Sequence, residues 1–403
     1  MMSPKGRALP PERNTGNPNC QFYGQAIIGE GNKTYLPPVH TGKEALSSVH
    51  LSGNPCFPPR ISRSFKMRAI GYENPQSIDA ATALVDIDLP RPEPTGRDIL
   101  VEVKAVSVNP VDTKIRASAK AESGQWKVLG WDAAGIVTEA GPQVSLFKPG
   151  DTVFYAGAIN RSGTNAEYHL VDERIVGRKP ASLDFPAAAA LPLTSITAWE
   201  MLFDRLEVTR PVAGAANAIL IIGGAGGVGS ITIQIARALT DLTVIATASR
   251  PETQDWVKAL GAHHVIDHRK PLAAQVEALG IGQPAFVFST TNTDAHMSDV
   301  VELIAPQGRF GLIDDPKALN ALLLKRKSIS LHWELMFTRS LFSTVDIEKQ
   351  HELLNRISEM VDAGRIKSTL NENFGAINAE NLKRAHALIE SGRAKGKIVL
   401  AGF

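Results

Sequence analysis

The stretch ILIIGGAGGVGS, residues 219–230, is an aliphatic run that breaks into glycines and then continues with helical spacing. Within it, Gly224, Gly226 and Gly229 fit the pattern G-x-G-x-x-G, whose glycines permit a tight turn, close approach of the backbone to a pyrophosphate and close packing of helix on strand. The aliphatic residues before the glycines are typical of a parallel strand buried on both faces. The stretch predicts a strand, a phosphate loop and a helix that bind a dinucleotide; a glycine turn with only a structural use is the alternative.

The composition of the whole chain is that of a globular protein. Its 403 residues are 43% hydrophobic and 21% charged, enough for two domains with their own cores. The net charge of +2 makes no electrostatic case for nucleic acid or for an anionic membrane. No apolar run approaches the ~18 residues that span a bilayer. We therefore expect small-molecule chemistry, with neither nucleic acid nor membrane as a partner.

The first 66 residues differ from the rest of the chain. They are rich in Pro, Gly, Asn and Ser, show no sustained period, and predict a disordered extension. Globular patterning starts at Met67, so the segment is either an appended tail or lies before the true start of translation. Its basic charge leaves a targeting role open. The only cysteines, Cys20 and Cys56, both lie in this segment, so a reducing, cytoplasmic setting is expected.

The remainder divides into three parts. Residues 67–190 contain short apolar or alternating segments between Pro, Gly and Asp, which predict a small β-barrel. Residues 191–335 contain the glycine loop and alternate strand with helix, which predicts a doubly wound parallel sheet of the Rossmann type. Residues 336–403 return to mixed character and are expected to rejoin the first part. The predicted fold class is α/β.

The strand after the glycine loop ends at Ser249-Arg250 and carries no acid. In NAD-binding proteins, an Asp or Glu about 20 residues beyond the glycines binds the ribose 2′-hydroxyl. A hydroxyl and a guanidinium suit a 2′-phosphate instead, through charge-assisted hydrogen bonds. Alternatively, Ser249 caps the next helix, with Glu252 completing a capping box, and Arg250 points into solvent. The sequence predicts NADPH rather than NADH.

Five segments of residues 67–403 resemble the medium-chain dehydrogenase/reductase superfamily, in particular its quinone oxidoreductase (zeta-crystallin-like) branch and the zinc-type alcohol dehydrogenase-like proteins. The segments are VNPVDTKIR (108–116), LGWDAAGIV (129–137), FKPGDTV (147–153), LTSITAWE (193–200) and the glycine loop. The resemblance implies a GroES-like catalytic barrel built from both ends of the chain, a nucleotide domain between them, a substrate cleft at their junction, and a homodimer.

The resemblance also implies which residues contact the cofactor. The nicotinamide would be lined by Asn109 and Thr197, and the diphosphate by Gly224, Gly226, Gly227, Val228 and Gly229. The ribose would lie beside Ser289 and Thr290 at the end of the fourth strand, and the carboxamide beside Gly311, Leu312 and Ile313 at the end of the fifth.

The chain departs from the family at the zinc site. Zinc alcohol dehydrogenases of this superfamily carry Cys at the position of Asn109 and His-Glu at the positions of Trp131 and Asp132. Catalytic zinc takes about three His, Cys or carboxylate ligands. Asp112 and Asp132 alone would make an unusual set, so the sequence predicts no catalytic zinc.

The missing zinc ligands change the expected reaction. Alcohol oxidation needs a group that stabilises the alkoxide, which zinc supplies as a Lewis acid. A quinone, or a double bond conjugated to a carbonyl, is already an electrophile, so the protein only has to align it, donate a hydrogen bond to its oxygen and supply a proton. Zeta-crystallin-like relatives often carry Tyr in the segment where this chain has Lys114. Lys114 is therefore the catalytic candidate and Asp112 its orienting partner; a solvated lysine and a turn-forming aspartate are the alternatives.

Three aromatic residues, Trp131, Tyr155 and Phe337, are candidates for a flat apolar substrate pocket, with core packing as the alternative. Together the observations predict an NADPH-dependent reductase of quinones or α,β-unsaturated carbonyl compounds. A zinc alcohol dehydrogenase is the second hypothesis. The third is a nucleotide-binding sensor or RNA-binding protein with little turnover, against which the slightly acidic body argues.

Overall fold

The computed structural model describes residues 65–403, so the predicted disorder of the extension lies outside the described residues apart from Phe65 and Lys66. Within the described range, no helix is long and apolar enough to cross a membrane. The α/β fold class is confirmed, with one parallel sheet and two largely antiparallel ones.

The first part of the chain is mostly strand. Its strands are β1 (Lys66–Tyr72), β2 (Val85–Pro90), β3 (Asp98–Val108), β4 (Lys127–Val128), β5 (Ala133–Ala140), β6 (Thr152–Tyr155), β7 (Tyr168–Asp172) and β8 (Val176–Arg178), and its helices are α1 (Pro110–Ser118) and α2 (Phe185–Ala189). Helix α1 was not predicted. It begins directly after β3 because Pro110 has the backbone angle that a first helical residue needs and Asp112 accepts the N–H of Asn109.

The central part is the predicted doubly wound sheet. It contains α3 (Pro192–Trp199), β9 (Ala216–Ile222), α4 (Gly227–Leu239), β10 (Thr243–Thr247), α5 (Pro251–Ala259), β11 (His264–Ile266), α6 (Leu272–Ala278), β12 (Pro284–Ser289), α7 (Thr293–Leu303), β13 (Arg309–Leu312) and β14 (Ser330–Trp333). All strands are parallel, in the order β11-β10-β9-β12-β13-β14. The order reverses between β9 and β12, and ligands of such sheets bind outside the carboxyl ends of the strands at that point. The glycine loop follows β9 there.

The last part returns to the first, as expected. It contains α8 (Thr338–Phe342), α9 (Lys349–Asp362), β15 (Leu370–Asn373), α10 (Ala379–Glu390) and β16 (Lys397–Ala401). Strand β16 pairs antiparallel with β3, so that Ile398 lies opposite Val108. The resulting sheet has the order β15-β16-β3-β5-β6-β8, with β7 also paired to β3, and a smaller sheet has the order β2-β1-β4.

The core joins the catalytic and nucleotide domains. One continuous cluster contains barrel residues together with one face of the parallel sheet, to which Ile219, Ile221 and Phe286 contribute. A second cluster covers the opposite face with Leu220 and Val287. This alternation follows from the two-residue period of a strand. The end of β9 is therefore held between two packed layers.

The start of α5 differs from the expected capping box. Its cap is Arg250 rather than Ser249, and Thr253 rather than Glu252 accepts the N–H of the capping residue, at 3.2 Å. The shift of one residue follows from Pro251, which occupies the first helical position. Glu252 pairs instead with the guanidinium of Arg250, at 2.6 Å.

Candidate active site

The glycine loop is held in shape by contacts that leave no room for side chains. Gly223 has φ +82, a conformation that favours glycine, and its N–H donates to Oγ1 of Thr247 at 3.0 Å. A Cβ on Gly229 would lie 2.3 Å from the carbonyl oxygen of Gly223. A Cβ on Gly224 would lie 2.9 Å from that of Ala246. Two of the three motif glycines are therefore needed for packing of the loop against α4 and β10.

The third motif glycine is less tightly packed. Gly226 caps α4, and a Cβ there would meet no atom nearer than 3.5 Å. Gly227 and Val228 follow it, half-buried, in the first turn of this 13-residue helix. The first N–H groups of a helix have no intrahelical acceptor, and the helix dipole favours an anion beside them. The loop thus has the backbone geometry and the space that a dinucleotide diphosphate requires.

Basic side chains lie beside the end of β10. The guanidinium of Arg250 reaches the carbonyl oxygen of Arg393 at 3.0 Å, in addition to its pairing with Glu252. Arg269, which the sequence analysis missed, donates to the carbonyl oxygen of Ser249 at 2.8 Å. Arg269 follows β11 in the sequence, and only the pairing of β11 with β10 brings it beside the end of β10. One guanidinium therefore contacts Ser249 directly, and a second belongs to the next residue in the chain, Arg250.

Three other predicted cofactor residues lie in α3 or at the end of β12, but their polar groups are used within the fold. The hydroxyl of Thr197 donates to the carbonyl oxygen of Leu193 at 2.9 Å. Thr290 donates to the carbonyl oxygen of Ile222 at 2.9 Å, and the Ser289 hydroxyl lies 2.8 Å from that of Thr293. Any contact of these residues with a cofactor would therefore come mainly from the backbone.

The residues at the end of β13 show the same inward orientation. A Cβ on Gly311 would lie 2.2 Å from the Met201 sulfur, so this glycine lets the π-helical segment Glu200–Arg205 approach the sheet. Leu312 is fully buried, and only Ile313 is half-buried.

A buried polar cluster, formed by Asn109, Asp132 and Lys397, lies beside the glycine loop. Nδ2 of Asn109 donates to Oδ2 of Asp132 at 2.9 Å. The Lys397 ammonium donates to the same oxygen at 3.0 Å and to Oδ1 of Asn109. All three residues are at most 3% exposed. Asn109, predicted to line the nicotinamide, is therefore enclosed with its amide engaged, and Lys397 is a polar residue that no sequence motif singled out.

The carboxylates of this region differ in their partners. Burial raises the pKa of Asp132, while the Lys397 ammonium and the N–H of Leu193, which donates at 2.8 Å, lower it in return. Burial also raises the pKa of Asp112, to about 7, against the hydrogen bond from the N–H of Asn109 at 2.7 Å. Asp112 thus completes the capping box of α1, in which Asn109 is the cap. The expectation that it orients Lys114 is wrong in this structure, because its bonded oxygen faces the backbone of Asn109.

Lys114 lies at the junction of the two domains. Its exposed ammonium pairs with Asp315, in the loop after β13, at 2.7 Å. The pair links helix α1 of the catalytic domain to the nucleotide domain.

The three aromatic residues predicted to line a substrate pocket lie in the core. Trp131, Tyr155 and Phe337 are at most 2% exposed. Trp131 packs edge-on against Phe337, with ring centroids 6.2 Å apart, and its Nε1 donates to the carbonyl oxygen of Ala158 at 3.3 Å. The Tyr155 hydroxyl lies 3.2 Å from Nδ1 of His169. In this structure they present no surface to a substrate, because all three side chains are enclosed in the core.

The residues at the family's zinc position do not fit zinc. Across residues 65–403, no group of three His, Cys, Asp or Glu side chains lies close enough to hold a metal ion. The carboxylate of Asp132 is taken by the Lys397 ammonium and the Asn109 amide, and Trp131 offers only an N–H donor. An ammonium also repels a cation, so this donor set suits an internal ion pair.

A second buried charged group lies behind the site. Glu334, directly after β14, accepts from Nε of Arg205 at 2.8 Å. Burial, and next the charge of neighbouring Glu200, raise the pKa of Glu334 to about 9 despite that arginine. The pair joins the π-helical segment to the end of β14.

Two family models match the chain. One, described as an alcohol dehydrogenase GroES-like domain, matches residues 95–181, and the other, described as a zinc-binding dehydrogenase, matches residues 260–400. A zinc-type alcohol dehydrogenase-like protein from Staphylococcus aureus (strain MSSA476) is 42% identical over 83% of this chain and 99% of its own length. A 2-methylene-furan-3-one reductase from Solanum lycopersicum is 27% identical over 84% of this chain and 80% of its own.

Solved structures show the same fold. A protein from Rhizobium etli CFN 42, provisionally assigned as a zinc-dependent alcohol dehydrogenase, is 66% identical with a TM-score of 0.83, covering 84% of this chain and 98% of that one. The quinone oxidoreductase from Coxiella burnetii is 26% identical with a TM-score of 0.68, covering 84% of this chain and 100% of that one.

Proposed function

The chain belongs to the medium-chain dehydrogenase/reductase superfamily, among its zinc-type alcohol dehydrogenase-like proteins, and we propose that this oxidoreductase reduces quinones or α,β-unsaturated carbonyl compounds with NADPH and without zinc. The observation that carries the proposal is the ion pair of Lys397 with Asp132 at the family's zinc position. Without a Lewis acid there, an acceptor that delocalises the arriving charge onto its own oxygen is favoured over an alcohol donor.

The residues present suit the nicotinamide cofactor. When bound, it supplies the hydride. The N–H groups at the start of α4 would hold its diphosphate, with Gly226 leaving the space for it. Lys114 would donate a hydrogen bond to the acceptor's oxygen after leaving Asp315; their ion pair is exposed to water, so breaking it costs little.

The preference for NADPH rests on the end of β10. No acid is present there to bind a ribose 2′-hydroxyl; Arg269 donates to the carbonyl oxygen of Ser249, and Arg250 is the next residue in the chain. Each is paired with a single carboxylate, Glu252 or Asp267, which a doubly charged phosphate would outcompete.

The names of two relatives support the substrate class. The Solanum protein is named as a reductase of a 2-methylene-furan-3-one, and the Coxiella protein as a quinone oxidoreductase. The zinc in the names of the Staphylococcus and Rhizobium proteins favours alcohol oxidation instead. The donor set around Asp132 argues for the first class in this chain.

A homodimer is part of the proposal. In the described residues, strand β14 lies at the edge of the parallel sheet and pairs only with β13. Trp333 on β14 and Phe342 nearby are 51% and 71% exposed. An unpaired apolar edge favours pairing with a second copy. Sedimentation is expected to give a dimer for the wild type and monomers for Trp333→Arg; a wild-type monomer contradicts this part.

The proposed reaction is tested by consumption of NADPH and NADH with 1,4-benzoquinone, short enones and aldehydes. Turnover of a quinone or enone with NADPH is expected, and Lys114→Ala should lower kcat about tenfold, because the donor to the acceptor's oxygen is lost. Asp315→Asn is the matched control, since it removes the same ion pair while keeping the ammonium. Equal kcat in Lys114→Ala and wild type would remove Lys114 from the mechanism, and turnover of aldehydes alone would overturn the substrate class.

A further inference from the structure

Lys397 connects two parts of the molecule. On one side, its own neighbour is bonded to the glycine loop: the N–H of Gly396 donates to the carbonyl oxygen of Ala225 at 2.9 Å, and Gly396 forms a parallel bridge with Gly226. The stem of Lys397 also rests on the first turn of α4, since a Cβ on Gly227 would lie 2.8 Å from Cδ of Lys397. The lysine therefore starts at the segment that would hold the cofactor diphosphate.

On the other side, the ammonium contacts three residues at the ends of elements in the catalytic domain. It donates to the carbonyl oxygen of Val108, the last residue of β3, at 3.0 Å. It also contacts Asn109, the cap of α1, and Asp132, just before β5. Asp132 in turn accepts the N–H of Leu193 in the first turn of α3. One side chain thus ties the glycine loop to the end of β3 and the starts of α1, β5 and α3.

We propose that Lys397 is a positioning residue for hydride transfer, which sets the spacing between the loop that holds the cofactor and the catalytic-domain residues that hold the acceptor. The inference rests on the proposed function, because it concerns that same site. The glycine loop positions the nicotinamide carbon that donates the hydride, and α1 positions the acceptor. The distance between donor and acceptor therefore depends on the contacts that Lys397 makes between the loop and α1. Misplacement by about 1 Å can cost ~100-fold in rate.

A simpler role for Lys397 is to neutralise the buried carboxylate of Asp132. The two roles make different predictions for a variant that has neither charge. Charge neutralisation becomes unnecessary when Asp132 is replaced by Asn, whereas the tie to Val108 and Asn109 is still lost when Lys397 is replaced by Met. Met keeps an unbranched stem of similar length against Gly227, so packing of the loop is preserved.

The experiment compares Lys397→Met, Asp132→Asn/Lys397→Met and the exposed control Lys349→Met, using NADPH and 1,4-benzoquinone. The neutral double variant should recover the melting temperature to within about 2 °C of the wild type, because no unpaired charge is left. Its kcat should stay at least about tenfold low, its deuterium isotope effect on kcat should rise, and its Kd for NADPH should change less than about threefold. Lys349→Met should behave as wild type. If Lys397→Met does not fold, the double variant carries the test alone.

Recovery of kcat to within about twofold in the double variant overturns the inference and leaves charge neutralisation. If the wild type reduces no quinone or enone, the proposed function fails separately. The link that Lys397 makes between the glycine loop and α1 is then measured by amide hydrogen exchange in the absence of substrate. The double variant should exchange faster than wild type in peptides covering both residues 223–230 and 108–118, and unchanged exchange in either peptide overturns it.

Discussion

The glycine loop and the buried polar cluster of Asn109, Asp132 and Lys397 lie next to each other and satisfy their polar groups in opposite ways. The loop presents backbone N–H groups at a helix start, with open space beside Gly226. The cluster turns an ammonium and a carboxylate toward each other at 3.0 Å, both out of contact with water. The first region is built to receive an anion from outside. The second region has its polar groups paired with one another, so its donors and acceptors are already in use.

The largest expected effect separates the packing role of the loop from its binding role. Gly229→Ala places a Cβ against the backbone of Gly223, so the loop must shift. We expect NADPH affinity to fall about 100-fold or more, together with a lower melting temperature of the free protein. Fluorescence titration and thermal unfolding measure the two quantities.

Gly226→Ala is the matched control for this prediction. Its Cβ would make only an ordinary contact, 3.5 Å from the carbonyl oxygen of Gly223, so the free protein should melt at the wild-type temperature, while NADPH still binds more weakly because the Cβ occupies the diphosphate space. Equal melting temperatures for Gly229→Ala and wild type would show that the loop is not held as described.

A smaller effect is expected at the other end of the cofactor. Arg250→Ala should raise the KM for NADPH about tenfold and leave that for NADH within about twofold, because only a 2′-phosphate uses the guanidinium. Steady-state kinetics with both cofactors measures this ratio. Lys258→Ala, an exposed change on the same helix, is the control. Equal losses with both cofactors in Arg250→Ala would mean that the arginine does not distinguish them.

The last prediction concerns Glu334, a buried acid that is expected to affect the pH dependence of stability rather than catalysis. Because the pKa of Glu334 is about 9 in the fold against an ordinary 4.5, the folded protein keeps a proton that the unfolded chain has released between those pH values. Stability should therefore fall as the pH rises across this window. Glu334→Gln removes the titration, and its stability relative to wild type should improve by on the order of 1 kcal/mol per pH unit from pH 5 to pH 8.

Urea unfolding at the two pH values measures this change. Glu348→Gln, at an exposed glutamate, should show no such dependence on pH. A relative stability of Glu334→Gln that is the same at pH 5 and pH 8 would mean that Glu334 is ionised throughout.

Features that depend on residues close together in the sequence could be predicted, whereas contacts between distant parts of the chain could not. Gly224 and Gly229 act within a dozen residues of chain, and the alternation of strand and helix after them is equally local, so the loop and the parallel sheet were predicted with their residues. Lys397 is 288 residues from Asn109, and only the antiparallel pairing of β16 with β3 brings them together. No spacing in the sequence indicates such a contact.

The same reason explains the errors at individual side chains. Trp131, Tyr155 and Phe337 are large and apolar in the right segments, but the direction of a side chain depends on how strands pack, and all three point into the core. Asp112 lies two residues before Lys114, yet on a helix such neighbours do not face each other. The unpredicted helix α1 therefore separated them.

The most direct test of the central claim measures reduction of 1,4-benzoquinone by NADPH before and after exhaustive dialysis against a zinc chelator, with the metal content determined on the same samples. The account predicts the same rate in both, with well below one zinc bound per chain. Loss of activity on chelation, restored by about one zinc per chain, would contradict it.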